Sequence, residues 1–154
     1  MANICEYKVI VKGKKNACYA FYGSTSNFGG KEIDHGEGTD DDYTLYYNGD
    51  CKWSIDSYCS PFKGEKPVQL PENFEEAEEA GENLYWYNTV QERSEMFQVE
   101  VQCCSADIED YDEDGPYNIY EHYINGKACK DNYADFEDIP EELRIYDPFR
   151  EEDD

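Results

Sequence analysis

Met96-Phe97-Gln98-Val99-Glu100-Val101-Gln102-Cys103-Cys104 sets Phe97, Val99, Val101 and Cys103 at alternate positions against Gln98, Glu100 and Gln102. A period of two belongs to a strand with one face in a core and the other in water. The segment 96–104 is therefore predicted as a half-buried strand, and its neighbours decide what covers it. Just upstream, Thr89-Val90-Gln91-Glu92 has the spacing of a capping box and predicts a short helix. Further upstream, Pro71 suits a first helical turn, and Phe74, Ala77, Gly81, Leu84 and Tyr85 recur at helical spacing. Residues 72–86 are thus predicted as the main helix. Downstream, Tyr120 to Ile124 and Lys127 to Cys129 flank Asn125-Gly126, a pair that tolerates positive φ and predicts a tight hairpin.

The N-terminal half reads as two more hairpins. Tyr7, Val9 and Val11 alternate with Lys8, Ile10 and Lys12, Gly13 to Asn16 supplies a turn, and Ala17 to Tyr22 a return strand. Residues 24–41, rich in Gly, Ser and Asp, read as a long loop. Tyr43 to Tyr47 and Cys51 to Ile55 flank Asn48-Gly49-Asp50 as the second hairpin, and three prolines make 59–71 a connector. Strands in hairpins around a helix predict an α+β fold: a mainly antiparallel sheet of six or seven strands, the 72–86 helix packed on one face. Residues 1–145 are expected to form one domain, with one helical turn after Pro140. Residues 146–154 are expected to be a frayed acidic tail.

At 154 residues the chain is long enough for one core, and its 16% aromatic content sets it apart from disordered acidic chains. No signal peptide or apolar run of membrane-spanning length is read in it, so a cytoplasmic location is expected. The seven cysteines are then expected to be reduced, and without a CxxC pair zinc gains no support from spacing.

Charge dominates the composition: 37 acidic residues stand against 13 basic ones, for a net charge of −24. Residues 1–33 are net positive, with five Lys and two Glu, so the excess is carried by the rest. Such a chain repels nucleic acid and anionic membranes and is drawn to basic surfaces. On the predicted helix, Glu72, Glu75, Glu76, Glu78, Glu79 and Glu82 form like-charge pairs at i,i+4 with no Lys among them. Each pair costs a few tenths of a kcal/mol. A second acidic run includes Asp107, Glu109 and Glu113. Tyrosines interleave with the acids, as at Asp110-Tyr111-Asp112, which suits a protein-binding face better than a nucleic-acid-binding one.

Asp110, Asp112, Asp114, Gly115 and Glu121 match the calcium-loop pattern, with Asn118 at its ninth position, so Ca²⁺ is the one cofactor the sequence suggests. The context differs from an EF-hand, since a strand precedes the segment and Pro116 follows the glycine. Catalytic signatures are missing. Gly29-Gly30-Lys31 lacks the other residues of a phosphate loop, no nucleophile elbow or HExxH occurs, and His35 and His122 stand alone.

The leading expectation is a non-catalytic protein that blocks a basic, nucleic-acid-binding partner by charge mimicry, through the helix glutamates with Asp107, Glu109 and Glu113. In composition, though not in motif, it resembles anti-restriction and anti-CRISPR proteins. The alternatives are a calcium-binding module on Asp110–Glu121 and an acidic protein adapted to salt.

Overall fold

The computed structural model describes residues 4–24, 30–52, 90–112 and 115–145, with the backbone alone at several strand ends, including 107–112 and 115–117. The elements are β1 (Ile4–Gly13), α1 (Lys15–Ser24), β2 (Gly30–Gly38), β3 (Tyr43–Lys52), α2 (Val90–Phe97), β4 (Glu100–Asp112), β5 (Gly115–Ile124) and β6 (Lys127–Ala128). Two 3₁₀ turns follow, Phe136–Asp138 and Glu141–Leu143, the second directly after Pro140. All six strands join one antiparallel sheet in the order β2-β3-β1-β4-β5-β6. The fold is α+β, and its longer described helix is α1.

That helix corrects the predicted return strand at 17–22. The segment Ala17-Cys18-Tyr19-Ala20-Phe21-Tyr22 is apolar almost throughout, so its pattern does not distinguish strand from buried helix. The sheet decides the matter. β1 is central, paired with β3 on one side and β4 on the other, so a return strand has no free edge to occupy. As a helix, the segment buries Ala17, Cys18, Ala20, Phe21 and Tyr22 along one face.

Two further corrections have the same cause. Asn48-Gly49 does not turn. It lies inside continuous β3, where Asn48 faces Lys8 and Glu32 and Gly49 faces Tyr7 and Lys31, so neighbours on both sides override the local turn signal. The expected loop at 24–41 contains edge strand β2, whose register shifts at a bulge between Ile33 and His35. Edge strands tolerate glycine, bulges and charge where central ones do not. Gly36 leaves the space that the Tyr43 ring crosses; a Cβ there would meet its hydroxyl. The predicted helix at 72–86 lies outside the described residues.

The 125–126 hairpin is as expected. Asn125 and Gly126 have φ of 49° and 87°, and Tyr123 pairs with Ala128. The turn docks on α2 through Gly126 N–H to Ser94 Oγ (2.9 Å) and Gln91 Nε2 to Gly126 O (2.9 Å).

Period-two alternation gives the sheet two buried faces. Tyr7, Val9, Val11, Leu45, Tyr47, Val101, Cys103 and Tyr123 face α1 and α2. Ile10, Cys104, Ala106 and Tyr120 face the opposite way and are covered by Ile139, Leu143 and Ile145 of the C-terminal arm. Asn118 fastens that arm: its buried Oδ1 accepts from Ile145 N–H (2.7 Å) and from Cys104 Sγ (3.2 Å). Asn118→Leu keeps the volume but leaves the Ile145 amide without that acceptor. The expected cost is about 1–3 kcal/mol, read as a lower urea midpoint, with earlier proteolysis in 131–145.

Candidate functional site

β2 and the turn after it form an acidic edge. Glu32, Asp34, Glu37, Asp40, Asp41 and Asp42 are all exposed. Ile33 anchors the strand to the helix-side core. Asp34 Oδ2 lies 2.6 Å from His35 Nδ1, and the His35 ring stacks on Tyr46 at 4.1 Å between centroids. The turn is fixed by reciprocal bonds between Thr39 and Asp42, and by Lys15 N–H to Asp40 O at 2.8 Å. The Lys15 ammonium sits over the Tyr43 ring at 5.2 Å. The acids are thus carried on an ordered rim.

Beside this edge, at the end of the sheet where β1, β2 and β3 meet, lies an open groove of about 500 Å³. It is lined by Glu6, Tyr7, Lys8, Glu32, Asn48, Gly49 and Asp50. The Lys8 ammonium is committed, donating to Arg144 O at 2.9 Å. Three carboxylates in the lining, Glu6, Glu32 and Asp50, stand against that one ammonium, so the groove continues the acidic rim across the sheet.

A second arrangement surrounds His122 on β5. Its Nε2 lies 2.8 Å from Glu100 Oε2, and its Nδ1 lies 2.7 Å from Asp131 Oδ1. Tyr120 Oη donates to Asp131 Oδ2 (3.1 Å) and accepts from Gln102 Nε2 (2.8 Å). Cys129 stands beside them, its backbone N–H bonded to His122 O at 2.9 Å. Burial first, then the carboxylates of Asp131 and Glu100, push the Cys129 thiol above its ordinary range. Both imidazole nitrogens already face carboxylates, so the ring offers the thiol no free base of the kind that activates a nucleophilic cysteine.

The comparisons were blank. No family model, curated protein or solved structure matches the chain.

The residues expected from sequence fare unevenly. Glu72, Glu75, Glu76, Glu78, Glu79, Glu82, Glu113 and Asp114 lie outside the described residues, and Asp107, Glu109, Asp110 and Asp112 are placed by backbone only, on β4. Of the residues in the calcium pattern, 110–112 and 115–121 are described, and there Tyr111 pairs with Pro116 and Asp112 with Gly115. Asn118 and Glu121 are an odd number of positions apart on one strand and so point to opposite faces. Asn118 serves the arm, whereas Glu121, 3% exposed, accepts from Tyr123 Oη at 2.8 Å on the helix side.

The acidic edge and the His122 group were missed. The Gly-rich composition of 29–38 concealed a strand, because edge strands follow propensity least. His122 and Cys129 were within reach of inference: the Asn125-Gly126 turn folds them across from each other, and only Asp131 and Glu100 required the full sheet.

Proposed function

We propose that this chain is a non-catalytic acidic binding protein that occupies a basic, nucleic-acid-binding surface of a partner protein by imitating nucleic-acid charge. The observation that carries this reading is the acidic rim, six exposed carboxylates within residues 32–42 on an ordered edge strand and turn. A net charge of −24 extends the field well beyond them. Glu32 and Glu37 stand on the ladder of β2, Asp34 at its bulge, and Asp40, Asp41 and Asp42 on the turn that follows, so the carboxylates are grouped along one edge. Such a group attracts Lys and Arg side chains arrayed to receive a phosphate backbone. A cytoplasmic location accords with it: Cys18, Cys103, Cys104 and Cys129 are free thiols, and no described helix is long and apolar enough to cross a membrane.

An arginine-rich peptide, used as surrogate for the basic surface, tests the reading by fluorescence anisotropy over a salt series. Affinity is expected to fall steeply with salt. The triple reversal Glu32→Lys, Asp34→Lys, Glu37→Lys is expected to weaken binding roughly tenfold to a hundredfold without lowering the unfolding midpoint. Reversal of Asp135, Glu137 and Asp138 on the C-terminal arm is the comparison. Equal losses from both triples would mean that the charge acts as general solvation, and the mimicry reading would be abandoned.

A further inference from the structure

We propose that His122, Cys129 and Asp131 bind a zinc ion, with Glu100 and Tyr120 orienting the ligands and one coordination position left open. The three residues each offer one ligand atom, and these atoms lie within 4.8 Å of one another. Tetrahedral zinc with bonds of ~2.0–2.3 Å holds its ligand atoms roughly 3.3–3.8 Å apart, so small side-chain rotations bring the set to distance. The closest pair, His122 Nδ1 and Asp131 Oδ1 at 2.7 Å, must open slightly. The Asp131 side chain, 46% exposed, has room to turn.

What separates this cluster from a chance grouping is the set of contacts behind it. Zinc-bound histidines usually give their other ring N–H to a carboxylate. Here Glu100 Oε2 sits 2.8 Å from Nε2, in place to accept that N–H when Nδ1, on the Asp131 side of the ring, ligates the metal. Tyr120 Oη holds Asp131 by Oδ2, which leaves Oδ1 to ligate, and Gln102 in turn holds Tyr120. The backbone is braced as well. His122 N–H donates to Asn132 Oδ1 (2.9 Å), and Asn132 N–H donates to Cys129 O (3.1 Å), so strand and turn keep their spacing. One thiolate, one imidazole and one carboxylate suit zinc, whereas Ca²⁺ and Mg²⁺ prefer oxygen alone. Zinc takes its ligands deprotonated, so on binding the Sγ proton of Cys129 passes to buffer.

Cobalt(II), which occupies such sites and is coloured in them, is the probe for the full-length chain. One equivalent is expected to give an ultraviolet thiolate-to-cobalt band with intense tetrahedral visible absorption, both removed by added zinc. Surface carboxylates bind cobalt without the thiolate band. Cys129→Ser, a change on a surface turn, is expected to abolish the band while the far-UV circular dichroism is unchanged. Glu100→Gln and Asp131→Asn are expected to weaken zinc binding by about 10–100-fold. A missing thiolate band in the wild type, a band that survives Cys129→Ser, or full affinity in Asp131→Asn would overturn the proposal.

Discussion

Phe21→Ala is expected to destabilise the fold by about 3–5 kcal/mol, the usual cost of emptying a buried phenylalanine site. Phe21 is fully buried on α1, inside the cluster that joins Tyr7, Tyr22, Tyr47 and Phe97. Its ring also carries a charge: the Arg93 guanidinium carbon lies 5.1 Å from the ring centroid, and Arg93 is itself 0% exposed. Truncation thus opens a cavity and removes one face from a buried cation. Against a total stability of ~5–15 kcal/mol for an ordinary domain, the loss is about a fifth or more. Urea unfolding should show a lower midpoint with an unchanged slope. Phe21→Leu, which keeps most of the volume, separates the two contributions and should cost clearly less. A loss under ~1 kcal/mol in Phe21→Ala would contradict the packing of α1 against the sheet.

Alkaline pH is the second strong lever. Burial pushes the Cys18 thiol from 9.0 up to about 12. The folded state therefore holds a proton that the unfolded chain releases above pH 9, and stability falls as pH rises between those values. Full passage through that window costs about 4 kcal/mol at ~1.4 kcal/mol per unit. Tyr120 and Tyr123 are also raised, chiefly by burial, and add to the decline above their ordinary value of 10.0. Below pH 9 none of these groups contributes a slope. In Cys18→Ala the cavity lowers the plateau, and between pH 9 and 10 only the smaller contribution of the raised Cys129 thiol remains, so the decline there should be clearly shallower until the tyrosines add to it near pH 10. Unfolding free energies measured from pH 8 to ~11.5 test this; identical slopes for both proteins between pH 9 and 10 would refute it.

What the sequence disclosed depended on how far each signal reached. The short helix around Val90–Phe97 and the Asn125-Gly126 turn were legible because each rests on contacts a few residues apart, whereas the strand expected at 96–104 was right only from Glu100 on, since Met96 and Phe97 close α2. Asn48-Gly49 carried the same local signal and misled, because β1 and β2 bind β3 on both sides and hold it straight. Ala17–Tyr22 had no periodicity to read; its helical state follows from β1 being claimed twice. For the candidate site, the excess of acid was plain in the composition, but its position was not. The helix glutamates drew attention by their density, while the rim of β2 was hidden by glycines that make a poor strand and an acceptable edge. The calcium pattern was read as a loop, whereas Asn118 and Glu121 lie along β5 and point in opposite directions.

The central place of β1 also shapes how the chain must come together during synthesis. Lys12 meets Glu100 and Cys5 meets Asp107, so one of its two ladders closes over roughly a hundred residues. At ~5–20 residues per second, β1, made before the other described strands, waits several seconds or more for that neighbour. Until then its apolar positions, Val9 and Val11 among them, lack the sheet that later hides them, and the lysines at 8, 12, 14 and 15 keep the nascent segment soluble. Native pairing is accordingly a late event. Refolding should be slow for a domain of this length, with a rate set by long-range closure and not by helix formation.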